Sequence, residues 1–215
     1  DHPAAARVFQ AQGIDFCCRG DVTVDVACAE RNLDPVAVCE ALRAAVAEGE
    51  ARAADDVRAL STAALTARIV DRHHGYLRRV LPWLVQLSNK VARVLAAGDE
   101  RLLEVRDLVA ALEELLIPHL DQEEEVLFPA LVARAPDRAL VERELLAMRA
   151  EHEEVGARLA RLRRLTDDYA APTWACTSYR TLLADLLDLE TDLLRHVHLE
   201  NHALLPRFLG SPAAR

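Results

Sequence analysis

From about Asp56 onward, apolar residues recur with the period of an amphipathic helix, in four long runs at about 56–97, 101–134, 137–167 and 176–209. The runs are separated by short polar or proline-bearing breaks: GDE at 98–100, APD at 135–137 and DDYAAPTW at 167–174. Four amphipathic helices with short connections predict an up-down-up-down bundle, with a kink at Pro82 inside the first helix. The first 48 residues have a different texture. Residues 3–12 read as a helix stopped by Gly13, and FCCRGD at 16–21 as a turn. Thr23 caps a short helix to about Arg31, and Asp34-Pro35 opens another to about Glu48. EGEARAADD at 48–56 is a polar linker. The expected organisation is therefore a small helical domain at 1–48, a linker at 49–56 and a bundle at 57–215, all-α throughout.

Composition agrees. The 215 residues are 52% hydrophobic but only 4% aromatic, with seven glycines, which suits helices better than sandwiches or barrels. A net charge of −9 without a basic stripe argues against nucleic acid or an anionic membrane as a partner. No apolar run reaches the ~20 residues of a membrane span, and no secretory signal is read. The chain starts at Asp1 with helix-like sequence at once, so residues before it are expected. Five cysteines, an odd count with no CxxC pair, fit the reducing cytoplasm.

The histidines change the picture. A helix turns ~100° per residue, so facing follows from numbering. With His119 as reference, Leu112, Glu123 and Leu116 fall at about 20°, 40° and 60°, placing His119 and Glu123 within the apolar stripe. With His196 as reference, Glu200, Leu193 and Leu204 fall at about 40°, 60° and 80°, again inward, while His198 and His202 face away. His152 shares a face with Leu145, Met148, Val155 and Leu159. In the first helix His73 and His74 both fall within the arc of Val70, Leu77 and Leu81, and periodicity does not choose between them. Each helix thus brings a histidine to one core, and two bring a glutamate. A buried carboxylate is costly unless paired or bound to metal. Two carboxylates among four imidazoles make a two-metal cage suited to iron or manganese, with zinc also accommodated. Histidine and glutamate four apart let one turn supply a terminal imidazole and a carboxylate shared by two metals. One such pair is often a surface contact; four converging helices are far more specific.

Other features carry less. Glu151 lies ~100° from His152, as a solvated acid or as part of a path to the metals. In DQEEE at 121–125, Glu124 and Glu125 read as surface acids. Cys28, Cys39, Trp83 and Trp174 read as packing residues. Cys17 and Cys18 are neighbours, which chelate one metal poorly and form a strained disulfide. They suit redox chemistry or contact with a client or second subunit, or else simply pack a turn.

These motifs resemble, over nearly the whole chain, the iron–sulfur cluster repair di-iron proteins known as the repair-of-iron-centres family. FCCRGD is similar to that family's vicinal-cysteine motif DFCCGG, with Arg19 in place of the first glycine. RHHGYLRRVLP matches with His74 as the ligand, judged by its distance to Leu81-Pro82. HLDQEEEVLFP carries His119 and Glu123, RAEHEEVG carries His152, and HVHLEN carries His196 and Glu200. PTWACTSY, with Cys176, resembles a further stretch. The resemblance implies a hemerythrin-like bundle holding a non-haem di-iron centre. His74, His119, His152 and His196 would be terminal ligands, Glu123 and Glu200 bridges, with an oxo or hydroxo bridge and an open position on each iron for nitric oxide or dioxygen. It implies protection or repair of iron–sulfur clusters damaged by nitric oxide or oxidants, by iron donation or by nitric oxide reduction. Damaged iron–sulfur proteins would be the clients, and a homodimer would form through the N-terminal domain. The alternatives are a dioxygen, nitric oxide or iron sensor or carrier without turnover, and an interaction protein with structural zinc.

Overall fold

The computed structural model describes residues 3–14, 16, 22–50 and 57–209. Among them all regular structure is helical. Three short helices come first: α1 (Pro3–Ala11), α2 (Val24–Arg31) and α3 (Pro35–Glu50). Gly13 ends α1 with a φ of 65° that L residues rarely adopt, letting Ile14 turn back onto the Phe9 carbonyl. Thr23 and Asp34 cap α2 and α3, their side chains accepting from the amides of Val26 and Val36. Ile14, Cys28 and Val38 form a small core there, with Phe9 and Leu42 against it.

The long helices follow. The first is α4 (Thr62–Ile69) continuing into α5 (Gly75–Leu95), the second α6 (Arg101–Gln122) continuing into α7 (Phe128–Val132). The third is α8 (Arg138–Leu165), and the fourth is α9 (Thr177–Leu199), leading to α10 (Pro206–Leu209). The first begins at Thr62 rather than near Asp56, because Ser61 is extended and its hydroxyl accepts from the Ala64 amide. A separate 3₁₀ turn occupies Val57–Ala59. Asp137 caps α8 in the same manner, accepting from Ala139 and Leu140. Helix α5 packs on α6 and α9, and α6 on α8.

Helical structure continues through Pro82. Among the described residues, three π turns interrupt the long helices, at Val70–His74, Glu123–Leu127 and Glu200–Leu204. There the amides of Gly75, Phe128 and Leu205 reach back five residues, to Val70, Glu123 and Leu205's partner Glu200. Pro129 and Pro206 rationalise the second and third. Each follows its glutamate by six residues, lacks an N–H, and in a regular helix would collide with the carbonyl four residues earlier, inside the π turn. The surplus residue sets the following turn back by ~100°. Phe128 and Leu205, each at about 180° from its upstream histidine in a straight helix, therefore turn inward and are buried.

The bundle core is split in two. One cluster runs from Leu77 to Leu193 and includes Leu84, Leu112, Leu116, Leu162 and Leu186. The other holds Leu65, Ile69, Leu127, Leu145, Met148 and Leu204. Along each long helix the change from one cluster to the other falls at the candidate metal residues. Trp83 and Trp174, expected to pack, are instead half-exposed. Trp83 donates to Asp185 at 2.8 Å, and Trp174 lies against Tyr179.

Beyond the first cluster, α8 ends in three successive non-glycine residues with positive φ: Asp167, Asp168 and Tyr169. Arg163 holds them. Its guanidinium donates to Asp168 at 3.0 Å, lies over the Tyr169 ring, and pairs with buried Glu190 on α9.

Candidate metal centre

Six polar side chains meet between the two apolar clusters: His74, His119, Glu123, His152, His196 and Glu200, all buried. His74 closes the first π turn, and Glu123 and Glu200 open the other two. His119 and His196 stand one turn before those glutamates, on α6 and α9, and His152 comes from the middle of α8.

The atoms sort into two sets that share both carboxylates. Glu123 places Oε2 3.3 Å from His74 Nε2 and Oε1 3.4 Å from His119 Nε2. Glu200 places Oε1 2.9 Å from His196 Nε2 and Oε2 3.1 Å from His152 Nε2. The sets His74–Glu123–His196–Glu200 and His119–Glu123–His152–Glu200 each gather one donor atom per residue within 4.8 Å. Among the described residues, both Glu123 oxygens, Glu200 Oε2 and His119 Nε2 have no hydrogen-bond partner. Buried carboxylate oxygens left in this state are costly. Gathered with imidazole nitrogens within 4.8 Å in each set, they fit cations, and the nitrogen and oxygen donor set suits iron.

The outward nitrogens of three imidazoles are engaged. His74 Nδ1 donates to Glu124 at 2.9 Å, His119 Nδ1 to Glu151 at 2.6 Å and His152 Nδ1 to Asn201 at 3.0 Å. Such bonds fix the tautomer that leaves Nε2 free to ligate, and raise its basicity. His196 differs: its Nδ1 has no hydrogen-bond partner among the described residues. The ring of His73 lies parallel to it, centroids 5.3 Å apart, and His73 Nδ1 is bonded to Asp192 at 2.9 Å.

Electrostatics follow this layout. Burial opposes charge on His152, but the Glu200 and Glu123 carboxylates outweigh it and raise its pKa to about 9. His74 and His119 are raised in the same way, with Glu123 the main counterweight to burial. For His196 burial wins, and its pKa is lowered. Glu200 is held well below the usual carboxylate range: burial opposes this, and His196 and His152 overcome it.

Residues 65–208 match the hemerythrin HHE cation binding domain, and residues 1–46 match ScdA_N, a domain of unknown function. The chain is 32% identical over 212 residues to a probable iron-sulfur cluster repair protein of Haemophilus influenzae, covering 97% of this chain and 92% of that one. It is 34% identical over 210 residues to the iron-sulfur cluster repair protein YtfE of Yersinia pseudotuberculosis, covering 96% and 92%. The YtfE protein of Yersinia pestis strain Pestoides F matches to the same extent. The chain belongs to the iron-sulfur cluster repair protein family. The hemerythrin match that it shows within this family contains all six buried residues and their hydrogen-bond partners.

Structure brings together the six residues named from the sequence and selects His74 over His73 for the inner position. It also corrects two expectations. Glu124 is no free surface acid: it accepts from His74 and from Arg78. Glu151 is no merely solvated acid either, since it accepts from His119. Asn201 was not singled out in the sequence at all. Glu125 is exposed, as expected. Cys28 is fully buried and Cys39 half-buried, while Cys176 is exposed. Cys17, Cys18 and Arg19 lie outside the described residues. Their neighbour Phe16 is buried against Phe9 and the ring of His198, which in turn lies 4.7 Å from that of His202. No helix among the described residues is long and apolar enough to cross a membrane.

Proposed function

We propose that the chain is a cytoplasmic non-haem di-iron protein that protects or repairs iron–sulfur clusters damaged by nitric oxide or oxidants. The observation that carries this is the pair of buried carboxylates, each offering one oxygen to each of two His₂ sets. His74 and His196 would hold one iron, His119 and His152 the other, with Glu123 and Glu200 shared between them. Bound there in the ferrous state, two irons would each supply one electron to a small ligand such as nitric oxide and become ferric, or would be given up for cluster rebuilding.

The protein's own residues do the rest. Glu124, Glu151 and Asn201 orient three imidazoles with Nε2 inward. The apolar clusters on either side exclude water and keep the centre in a low-dielectric layer. The relatives named as repair proteins support damaged iron–sulfur proteins as clients. In this reading residues 1–48 form a separate domain bearing Cys17 and Cys18, which serve client contact, redox chemistry or dimerisation.

Elemental analysis of anaerobically purified protein, with its optical spectrum, tests the proposal. About two irons per chain, the near-ultraviolet absorption of a bridged ferric pair, and consumption of added nitric oxide are expected. Zinc alone, or an intact helical protein that takes up no metal, would overturn it.

A further inference from the structure

The two metal positions have the same inner donors, one oxygen from each glutamate and two imidazoles, but they differ one layer out. On the His119–His152 side both imidazoles donate through Nδ1, to Glu151 at 2.6 Å and to Asn201 at 3.0 Å. On the His74–His196 side only His74 does, and its acceptor is shared. The same Glu124 Oε1 that accepts from His74 at 2.9 Å also accepts from Arg78 at 3.0 Å. Arg78 further pairs with Asp121 at 2.7 Å, so it is held in place beside that carboxylate. His196 Nδ1 has no hydrogen-bond partner among the described residues. The parallel ring of His73 fixes its plane but offers Nδ1 no acceptor, and His73's own Nδ1 is committed to Asp192.

A hydrogen bond from Nδ1 to an acceptor pushes electron density toward Nε2, strengthens its bond to a cation and restricts ring rotation away from it. Removing one such partner typically weakens metal affinity about 10–100-fold. One position therefore has two full outer partners, and the other has one partner diluted by a guanidinium. We infer that the two positions are unequal, and that the ion held by His74 and His196 is released first while the ion held by His119 and His152 stays. This rests on the two-iron reading above and extends it, by assigning the donated iron to one face of the centre.

The test uses the full chain loaded anaerobically with ferrous iron and challenged with an excess of bipyridine, with release followed optically. Release in two phases of equal amplitude, differing about 10-fold or more in rate, is expected. Crystals stopped after the first phase should show iron anomalous signal between His119 and His152 and none between His74 and His196. Asn201→Leu should accelerate the slow phase toward the fast one and leave the fast phase unchanged. A single phase in the unaltered protein, or retention of the ion at His74 and His196, overturns the inference while leaving a two-iron centre intact. A chain that takes up fewer than two ions instead overturns the two-iron reading, and this inference with it.

Discussion

His119 on α6 donates through Nδ1, over 2.6 Å, to Glu151 on α8, the residue immediately before His152. Each outer partner in the centre is similarly next in sequence to an inner residue on another helix: Glu124 beside Glu123, Asn201 beside Glu200, His73 beside His74. Glu151→Ala should lower metal affinity about 10–100-fold while leaving the helical circular dichroism unchanged. Competition against a chelator of known affinity measures this, and an unchanged affinity would deny Glu151 its role.

The shared carboxylates should be less forgiving. Each of Glu123 and Glu200 faces both sets of imidazoles, so Glu123→Ala or Glu200→Ala should remove both ions rather than one. The variants are expected to stay helical and to lose the thermal stabilisation that metal gives the parent chain. Two irons per chain in either variant would rule out the bridging assignment.

Metal uptake should release protons. With its pKa raised to about 9, His152 in the metal-free protein carries a proton at neutral pH, and that proton must leave before Nε2 can ligate. His74 and His119 are raised in the same direction, whereas His196 is lowered and has little to release. Apparent affinity should therefore climb from neutral pH and flatten as pH passes about 9. Calorimetric titration with zinc in buffers of different ionisation enthalpy counts the protons. An affinity flat over that range would contradict the charge balance described for His152.

At the far end of the bundle, Arg163 and Glu190 test stability apart from chemistry. Both are largely buried and each is the other's partner. Arg163→Met should cost about 3–5 kcal/mol by stranding a buried carboxylate, and should free the left-handed run Asp167–Tyr169. Adding Glu190→Leu should restore most of the loss, since an apolar pair of similar volume needs no counter-charge. Metal content should not change in either variant. Denaturant unfolding reads the first effect and elemental analysis the second.

Much of this was legible in the sequence because the inner residues lie on the apolar stripe, where simple rotation along a helix finds them. His119, Glu123, His152, His196 and Glu200 were placed that way, and only the choice of His74 over His73 needed more than periodicity. The outer acceptors escaped for a physical reason. An imidazole in the core points its second nitrogen sideways, toward the flank of the neighbouring helix, where Glu124 and Glu151 look like ordinary surface acids. Their adjacency in sequence to inner residues was the available sign. The π turns escaped too, because a fixed rotation per residue cannot register a surplus residue. Phe128 and Leu205, buried where a straight helix would expose them, marked the error.

Those surplus residues make the metal layer a phase boundary. On three of the four long helices the side chains above and below the layer follow different rotational frames, joined at a π turn, while α8 keeps a single frame throughout. The two ends of the bundle are therefore indexed separately. Removing one residue from either 124–127 or 201–204 would bring that helix into a single frame and carry Phe128 or Leu205 out of the core, even with every inner residue retained. Substitutions are absorbed locally in such a layout, whereas changes of length are not: the spacing from each glutamate to its proline is as much a part of the centre as the glutamate itself.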